Sequence, residues 1–328
     1  MNKFSFVTAQ GVDDAVETLS HNRNAKIIGG GTNLLDLMKE NVERPDELVD
    51  VNHTGMDRIE ELGDGGIRLG ASVTNADTAY HPLIEERYPL LSKAILAGAS
   101  AQLRNAATDG GNLMQRTRCY YFYDVTTPCN KRTPGSGCGA INGYNRIHAI
   151  LGWSESCIAT YPSDMCVALR ALDAVVNVKG AKGERQIPIA DFHRLPGDTP
   201  WLDNNLQPGE VITSIDLPAN GFNKNYVYLK LRDRLSYAFA LVSVAAALEM
   251  NGNVIKQARI ALGGVAHKPW RVEEAEDLLV GKEGSEEAYR NAADRILQGA
   301  QGFAHNNFKI DLAKRAVVRA LTEAAKMQ

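Results

Sequence analysis

The sequence has no apolar run long enough to cross a membrane. Its longest predominantly apolar stretch, Tyr237–Leu248, falls well short of the roughly 20 residues that a spanning helix needs. Nor has it an excess of positive charge: 36 Lys and Arg face 39 Asp and Glu, a net charge of −3. The basic footprint of a nucleic-acid binder is therefore missing. The opening MNKFSFVTAQ carries neither an apolar core nor a twin-arginine pair, so no targeting signal is read in it. Cysteine is absent from the first 118 residues and from the last 162. The five that occur, Cys119, Cys129, Cys138, Cys157 and Cys166, are odd in number and clustered. Such a set speaks against a disulfide framework and for a reduced chain with a local metal or cluster site. No Ser-His-Asp set or paired-carboxylate site stands out, so no catalytic residue is assigned.

What is there is ordinary globular composition, with 44% hydrophobic and 23% charged residues in a chain of 328. The N-terminal stretch reads as helix (Val12–Leu19), strand (Lys26–Ile28), glycine loop, helix (Leu34–Lys39) and strand (Glu47–Val51). A strand at Gly66–Val73 and a helix at Leu90–Ala97 follow. From Gln115 to Ala149 the sequence loses periodicity and fills with Gly, Pro, Asn, Arg and aromatics. So long an irregular stretch inside a compact domain is usually functional. A helix within Cys157–Leu172, after Pro162, and strands at Ala174–Val178 and Val211–Leu217 come next. Pro218–Asn225 is the linker candidate. Beyond it, Tyr237–Glu249 and Val254–Gly263 flank Asn251-Gly252 as a hairpin, and helices cover Arg271–Leu279, Glu286–Leu297 and Lys309–Lys326.

Two glycine clusters point to chemistry. A strand running into Gly29-Gly30-Gly31-Thr32-Asn33 and then a helix is a phosphate-binding arrangement. Glycines let backbone approach an anion, the next helix offers free N–H groups, and Thr32 or Asn33 can cap that helix. It is neither G-x-G-x-x-G nor a Walker loop, and taken alone it also reads as a tight turn. The second cluster, Thr108-Asp109-Gly110-Gly111-Asn112, makes a dinucleotide the stronger reading, because two such loops can grip one diphosphate from two sides.

The segments IIGGGTNLLDLMK, LRNAATDGGNL, YPSDM, KLRDRLSYAFALVSVAAAL and ALGGVAHKPWR stand in this order along nearly the whole chain. Together they resemble the FAD-binding medium subunits of the molybdenum hydroxylases. The resemblance implies an α+β fold: a two-part FAD-binding domain of the vanillyl-alcohol-oxidase (PCMH) type over residues 1–219, with subdomains of about 1–55 and 56–219, and a C-terminal α+β domain of the CO dehydrogenase flavoprotein type over 225–328. It places FAD on Lys26, Ile27, Ile28, Gly29, Gly30, Gly31, Thr32, Asn33 and Leu34, and on Thr108, Gly111 and Asn112. It further implies that Asp164 binds a polar group of the cofactor, that Ile212 packs on it and that Lys230 lies near the flavin. His267, in GGVAHKPWR, reads as structural.

Cys119, Cys129, Cys138 and Cys157 are separated by nine, eight and eighteen residues. This is neither the paired spacing of a zinc ribbon nor that of the common ferredoxins, and buried free thiols are the plain alternative. Prolines and glycines allow the loop to wrap a cluster, Arg116, Arg118, Lys131 and Arg132 offset thiolate charge, and Tyr120–Tyr123 shield it from water. TRCYYFYDVTTPCNKRTPGSGC resembles the insert, at about 115–158, of a subset of the family, the medium subunits of 4-hydroxybenzoyl-CoA reductase and of periplasmic aldehyde oxidoreductase. That resemblance implies a [4Fe–4S] cluster on these four cysteines. Cys166, in the apolar SDMCVALRAL, reads as packing.

The chain has no molybdopterin segment and no C-x-x-x-x-C motif of a [2Fe–2S] site. The expectation is thus an electron-transfer subunit that works with a large molybdopterin-binding subunit, a small [2Fe–2S] subunit and an external electron acceptor. The rivals are a FAD subunit of a 4-hydroxybenzoyl-CoA reductase or xanthine dehydrogenase type enzyme, a stand-alone FAD oxidoreductase and a zinc-stabilised assembly module. Periplasmic export on a partner's signal and a cytoplasmic location both fit.

Overall fold

The computed structural model describes residues 1–327. Strands β1 (Ser5–Thr8), β2 (Ala25–Ile28) and β3 (Glu47–Asp50) form a parallel sheet in the order β1-β3-β2, with helices Val12–His21 and Leu34–Lys39 as its crossovers. The middle strand buries Leu48 and Val49, as a central parallel strand should.

A second sheet is antiparallel and five-stranded. It holds β4 (Ile59–Glu61), β5 (Ile67–Gly70), β6 (Val175–Gly180), β7 (Gly183–Pro188) and β8 (Val211–Leu217) in the order β4-β5-β8-β6-β7. Helices Pro89–Ala97 and Asp164–Ala171 pack together and against the strands of the third sheet, and every residue of the second helix is buried. One apolar core runs through both of these sheets.

The third sheet, β9 (Tyr226–Leu231), β10 (Val242–Asn251) and β11 (Val254–Gly263), is antiparallel and covered by helices Glu286–Ile296 and Phe308–Lys326. It carries a core of its own. Asn251 pairs with Val254, so the hairpin loop is Gly252-Asn253, one residue beyond the expected pair. Gly252 supplies the positive φ, +59°, that a two-residue loop requires.

Two expectations shift. The run from Tyr237 enters the sheet only at Val242, because its partner β9 ends at Leu231. Residues 232–241 therefore loop out and expose Leu235, Tyr237 and Phe239. The helix expected within Cys157–Leu172 begins only at Asp164, where Ser163 caps it by accepting from the Cys166 N–H at 3.0 Å. Between Gln115 and Ala149 the only helix among the described residues is the single turn Tyr120–Tyr123.

Candidate functional site

The two glycine loops meet. A Cβ on Gly30 would collide with the Ala106 carbonyl, and one on Gly29 would sit 2.7 Å from the Thr108 hydroxyl. The glycines are thus required first by loop-on-loop packing and only then by a ligand. Gly31 takes φ +68°, open to glycine at little cost. The N–H groups of Gly29, Gly30, Gly31, Thr32 and Asn33 find no acceptor among the described residues. They border a cavity of about 340 Å³ lined by the whole of Lys26–Leu34 together with Thr108, Gly111, Arg116 and Ile212. A row of unspent backbone donors on a cavity wall suits an anionic group such as a diphosphate. Neither Thr32 nor Asn33 caps the following helix, contrary to expectation. Asn33 instead accepts from the Arg116 N–H at 2.9 Å.

Three further residues lie outside this cavity. Asn112 donates to Asn75 (2.7 Å) and accepts from Ser163 (2.5 Å) and Gln115 (2.7 Å). Its neighbour Asp109 is fully buried, bonded to Asn75 and Thr78, and burial pushes its carboxyl up to about 7. Asp164 and Lys230 form a buried ion pair at 2.7 Å, to which the Tyr228 hydroxyl (2.6 Å) is added. Lys230 also donates to the Ala97 carbonyl at 3.0 Å.

Cys119, Cys129, Cys138 and Cys157 line one small cavity of about 10 Å³. They share an apolar cluster with Leu37, Phe122 and Ile158. Cys129 and Cys138 sit opposite each other in an antiparallel bridge. Backbone N–H groups near the sulfurs favour the thiolates: those of Phe122 and Tyr121 by Cys119, those of Ala140, Ile158 and Ile141 by Cys138, and that of Ala159 by Cys157. Burial pushes the Cys119 thiol up to about 12, whereas a hydrogen bond with Cys157 draws Cys138 down. Among the described residues no three His, Cys, Asp or Glu side chains close tightly on a single ion. The donor set on this cavity, four cysteine thiols, is the one that iron–sulfur centres use. Cys166 is separate, fully buried, with its sulfur 3.2 Å from the Tyr161 hydroxyl.

Against this geometry stand the comparisons with known proteins. Residues 2–220 match the FAD binding domain in molybdopterin dehydrogenase, and residues 226–324 match the CO dehydrogenase flavoprotein C-terminal domain. The chain belongs to the FAD-binding subunits of the molybdenum hydroxylases. It is 50% identical over 325 residues, 99% of both chains, to the aldehyde oxidoreductase FAD-binding subunit PaoB of Escherichia coli K12. It is 27% identical to the glyceraldehyde dehydrogenase medium chain of Sulfolobus acidocaldarius, over 90% of this chain and 87% of that one. The solved carbon monoxide dehydrogenase of Hydrogenophaga pseudoflava superposes with a TM-score of 0.77 at 26% identity, covering 98% of this chain and 97% of the other. This FAD-binding subunit is accordingly part of an oxidoreductase. No helix among the described residues is long and apolar enough to cross a membrane.

Sequence reasoning missed what joins the two sites of this FAD-binding subunit. Arg116 lines the glycine-loop cavity, pairs with Glu43 there, and reaches Asp203 at 2.7 Å. Asp203 pairs in turn with Lys131, which lines the cysteine cavity. Burial would raise Asp203, but Arg116 and Lys131 outweigh it and hold the carboxyl well below its usual range. Asp203 lies far along the chain in an irregular segment, so no local pattern marks it. His148 was equally unmarked. Its Nε2 lies 3.1 Å from the Cys119 sulfur.

Proposed function

We propose that this chain is the FAD- and [4Fe–4S]-bearing electron-transfer subunit of a heterotrimeric molybdenum-containing aldehyde oxidoreductase. The observation that carries the reading is the 50% identity along 99% of the chain to an aldehyde oxidoreductase FAD-binding subunit. The cluster is supported separately, by four cysteines converging on one cavity with backbone donors at their sulfurs. A large molybdopterin-binding subunit would oxidise the aldehyde, a small [2Fe–2S] subunit would relay electrons, and an external acceptor would collect them.

When bound, FAD supplies exchange of one or two electrons and the cluster exchange of one. The chain's own residues do the rest. Lys26–Leu34, Thr108 and Gly111 bind the cofactor along the cavity wall, the free N–H groups of Gly29–Asn33 meeting the diphosphate charge, and Ile212 packs on it. Asn112 acts one layer back, bracing the second glycine loop through Asn75 and Ser163. The roles of Asp164 and Lys230 beside the flavin rest on the family resemblance. Cys119, Cys129, Cys138 and Cys157 hold the cluster. Leu37 and Phe122 keep water away from it, which preserves the strength of every N–H···S bond there.

The test is composition and activity of the complex purified from its native host. Flavin, about four irons beyond those of the [2Fe–2S] subunit, and molybdenum-dependent aldehyde oxidation are expected together. Aldehyde oxidation by this chain alone, without molybdenum, would overturn the reading.

A further inference from the structure

We propose that His148 and His267 donate Nε2–H hydrogen bonds to the Cys119 and Cys157 thiolates, and so hold up the midpoint potential of the cluster. The proposal rests on the [4Fe–4S] reading above.

His148 lies with Nε2 3.1 Å from the Cys119 sulfur and is 1% exposed. Its main chain is fixed from the C-terminal domain, since its carbonyl accepts from Lys309 Nζ at 2.7 Å and from Asn306 at 3.1 Å. His267 stands just after β11, its Nε2 3.8 Å from the Cys157 sulfur. In neither ring does Nδ1 complete a hydrogen bond, although the Asn145 carbonyl stands by the His148 ring and the Ala159 carbonyl by the His267 ring, so the sulfur and a carbonyl compete for each ring proton.

The direction of the bond follows from the chemistry of ligation. A free thiol can donate S–H to a ring nitrogen, but a thiolate bound to iron has no proton to give. The facing nitrogen must then carry the hydrogen, which makes the ring Nε2–H and leaves Nδ1 as the bare acceptor. An N–H pointed at a ligating sulfur puts the positive end of a dipole there. A cluster that has gained one electron is more negative by one charge and gains more from that dipole than the oxidised cluster does. Hydrogen bonds to sulfur therefore raise the potential. The two donors come from different parts of the chain, His148 from the insert and His267 from the C-terminal domain. The C-terminal domain thus has a redox role in addition to packing.

The experiment uses the whole complex, with histidine labelled by ¹⁵N and the cluster reduced. Pulsed electron paramagnetic resonance should show weak ¹⁵N coupling to the cluster spin. A fully loaded cluster with no such coupling overturns the proposal whatever any variant does. A complex whose chain holds no [4Fe–4S] cluster overturns the underlying cluster reading instead. His148→Leu, which cannot donate, should retain iron with a lowered midpoint potential. His148→Gln, which offers an amide N–H at similar reach, should recover part of the shift. A loaded His148→Leu cluster at the wild-type potential would also overturn it. His267→Leu should give a smaller downward shift, in keeping with its longer contact.

Discussion

Asn33 accepts the Arg116 N–H with its side-chain oxygen at 2.9 Å, and so fastens the end of the first glycine loop to the start of the cysteine insert. Its amide nitrogen reaches the Tyr123 hydroxyl at 3.4 Å, and Leu37 of the next helix packs among the cysteines. From sequence, the glycine loops could be taken as folding independently of the insert, with FAD retained when the cluster is lost. The structure ties them together. Cys119→Ser is therefore expected to weaken FAD binding as well as cluster binding, and Asn33→Ala to weaken FAD binding with the cysteines intact. Flavin-to-protein ratios after gel filtration check both. Wild-type retention in both variants would show that the tie carries no energy.

Serine at Cys119, Cys129, Cys138 or Cys157 should cost most or all of about four irons, since thiolate ligation is what holds such a cluster. Cys166→Ser should keep the iron, because that sulfur faces Tyr161 and the buried helix Asp164–Ala171. Iron quantification on all five variants decides the ligand set. Iron loss from Cys166→Ser alongside a full cluster in one of the other four would refute it.

Gly30→Val should abolish FAD binding and destabilise the first two sheets against each other. The side chain cannot fit against the Ala106 carbonyl, so the two loops must part. Gly11→Ala is the control: its site is open and its backbone extended, and it should bind FAD normally. Isothermal titration of each apoprotein with FAD would read the contrast.

Asp203→Ala should destabilise the protein by about 3–5 kcal/mol, the usual cost of stranding one partner of a buried ion pair. The Lys131 side chain, 1% exposed, loses its only carboxylate, while Arg116 keeps Glu43. Denaturant unfolding measures it, and a change below about 1 kcal/mol would mean that Lys131 finds water or another acceptor.

Asp109 makes stability fall with rising pH. Its folded carboxyl titrates near 7, raised by burial from an unfolded value of 3.8. The unfolded chain therefore releases the proton first. The contribution is fully present below about pH 4 and is lost as pH rises through about 7. Asp109→Asn removes that slope, so its stability relative to wild type should improve between pH 5 and 8. Parallel unfolding curves at pH 5 and 8 test the sign, and an unchanged difference would mean that Asp109 ionises in the fold without penalty.

The parts of the fold built on local pattern were legible in the sequence. Helix Leu34–Lys39 and strand Val211–Leu217 stand where periodicity put them, and the irregularity of Gln115–Ala149 was plain from composition. Strands β1, β4, β7 and β9 were not read. β4 is three residues long, and β9 is half-buried at every position, so neither shows a clean alternation. At the site, the glycines and cysteines announce themselves by residue type. Glu43, Asp203, Lys309 and His148 do not, because each gains its meaning from a partner distant in sequence, and charged or imidazole side chains scattered among ordinary residues look like surface.

The surroundings of the cysteine cavity come from early and late parts of the chain. Its floor is laid by residues that leave the ribosome early, but His267, Lys309 and Asn306 belong to the last part of the chain. Ile150 and Leu151 are then clasped by Val265, and Tyr161 by Ala266. On the cluster reading proposed above, iron delivered before that clasp forms would meet an open nest. Iron delivered afterwards would have to wait for the two domains to part, and docking of the final sheet would then set the tempo of cluster assembly.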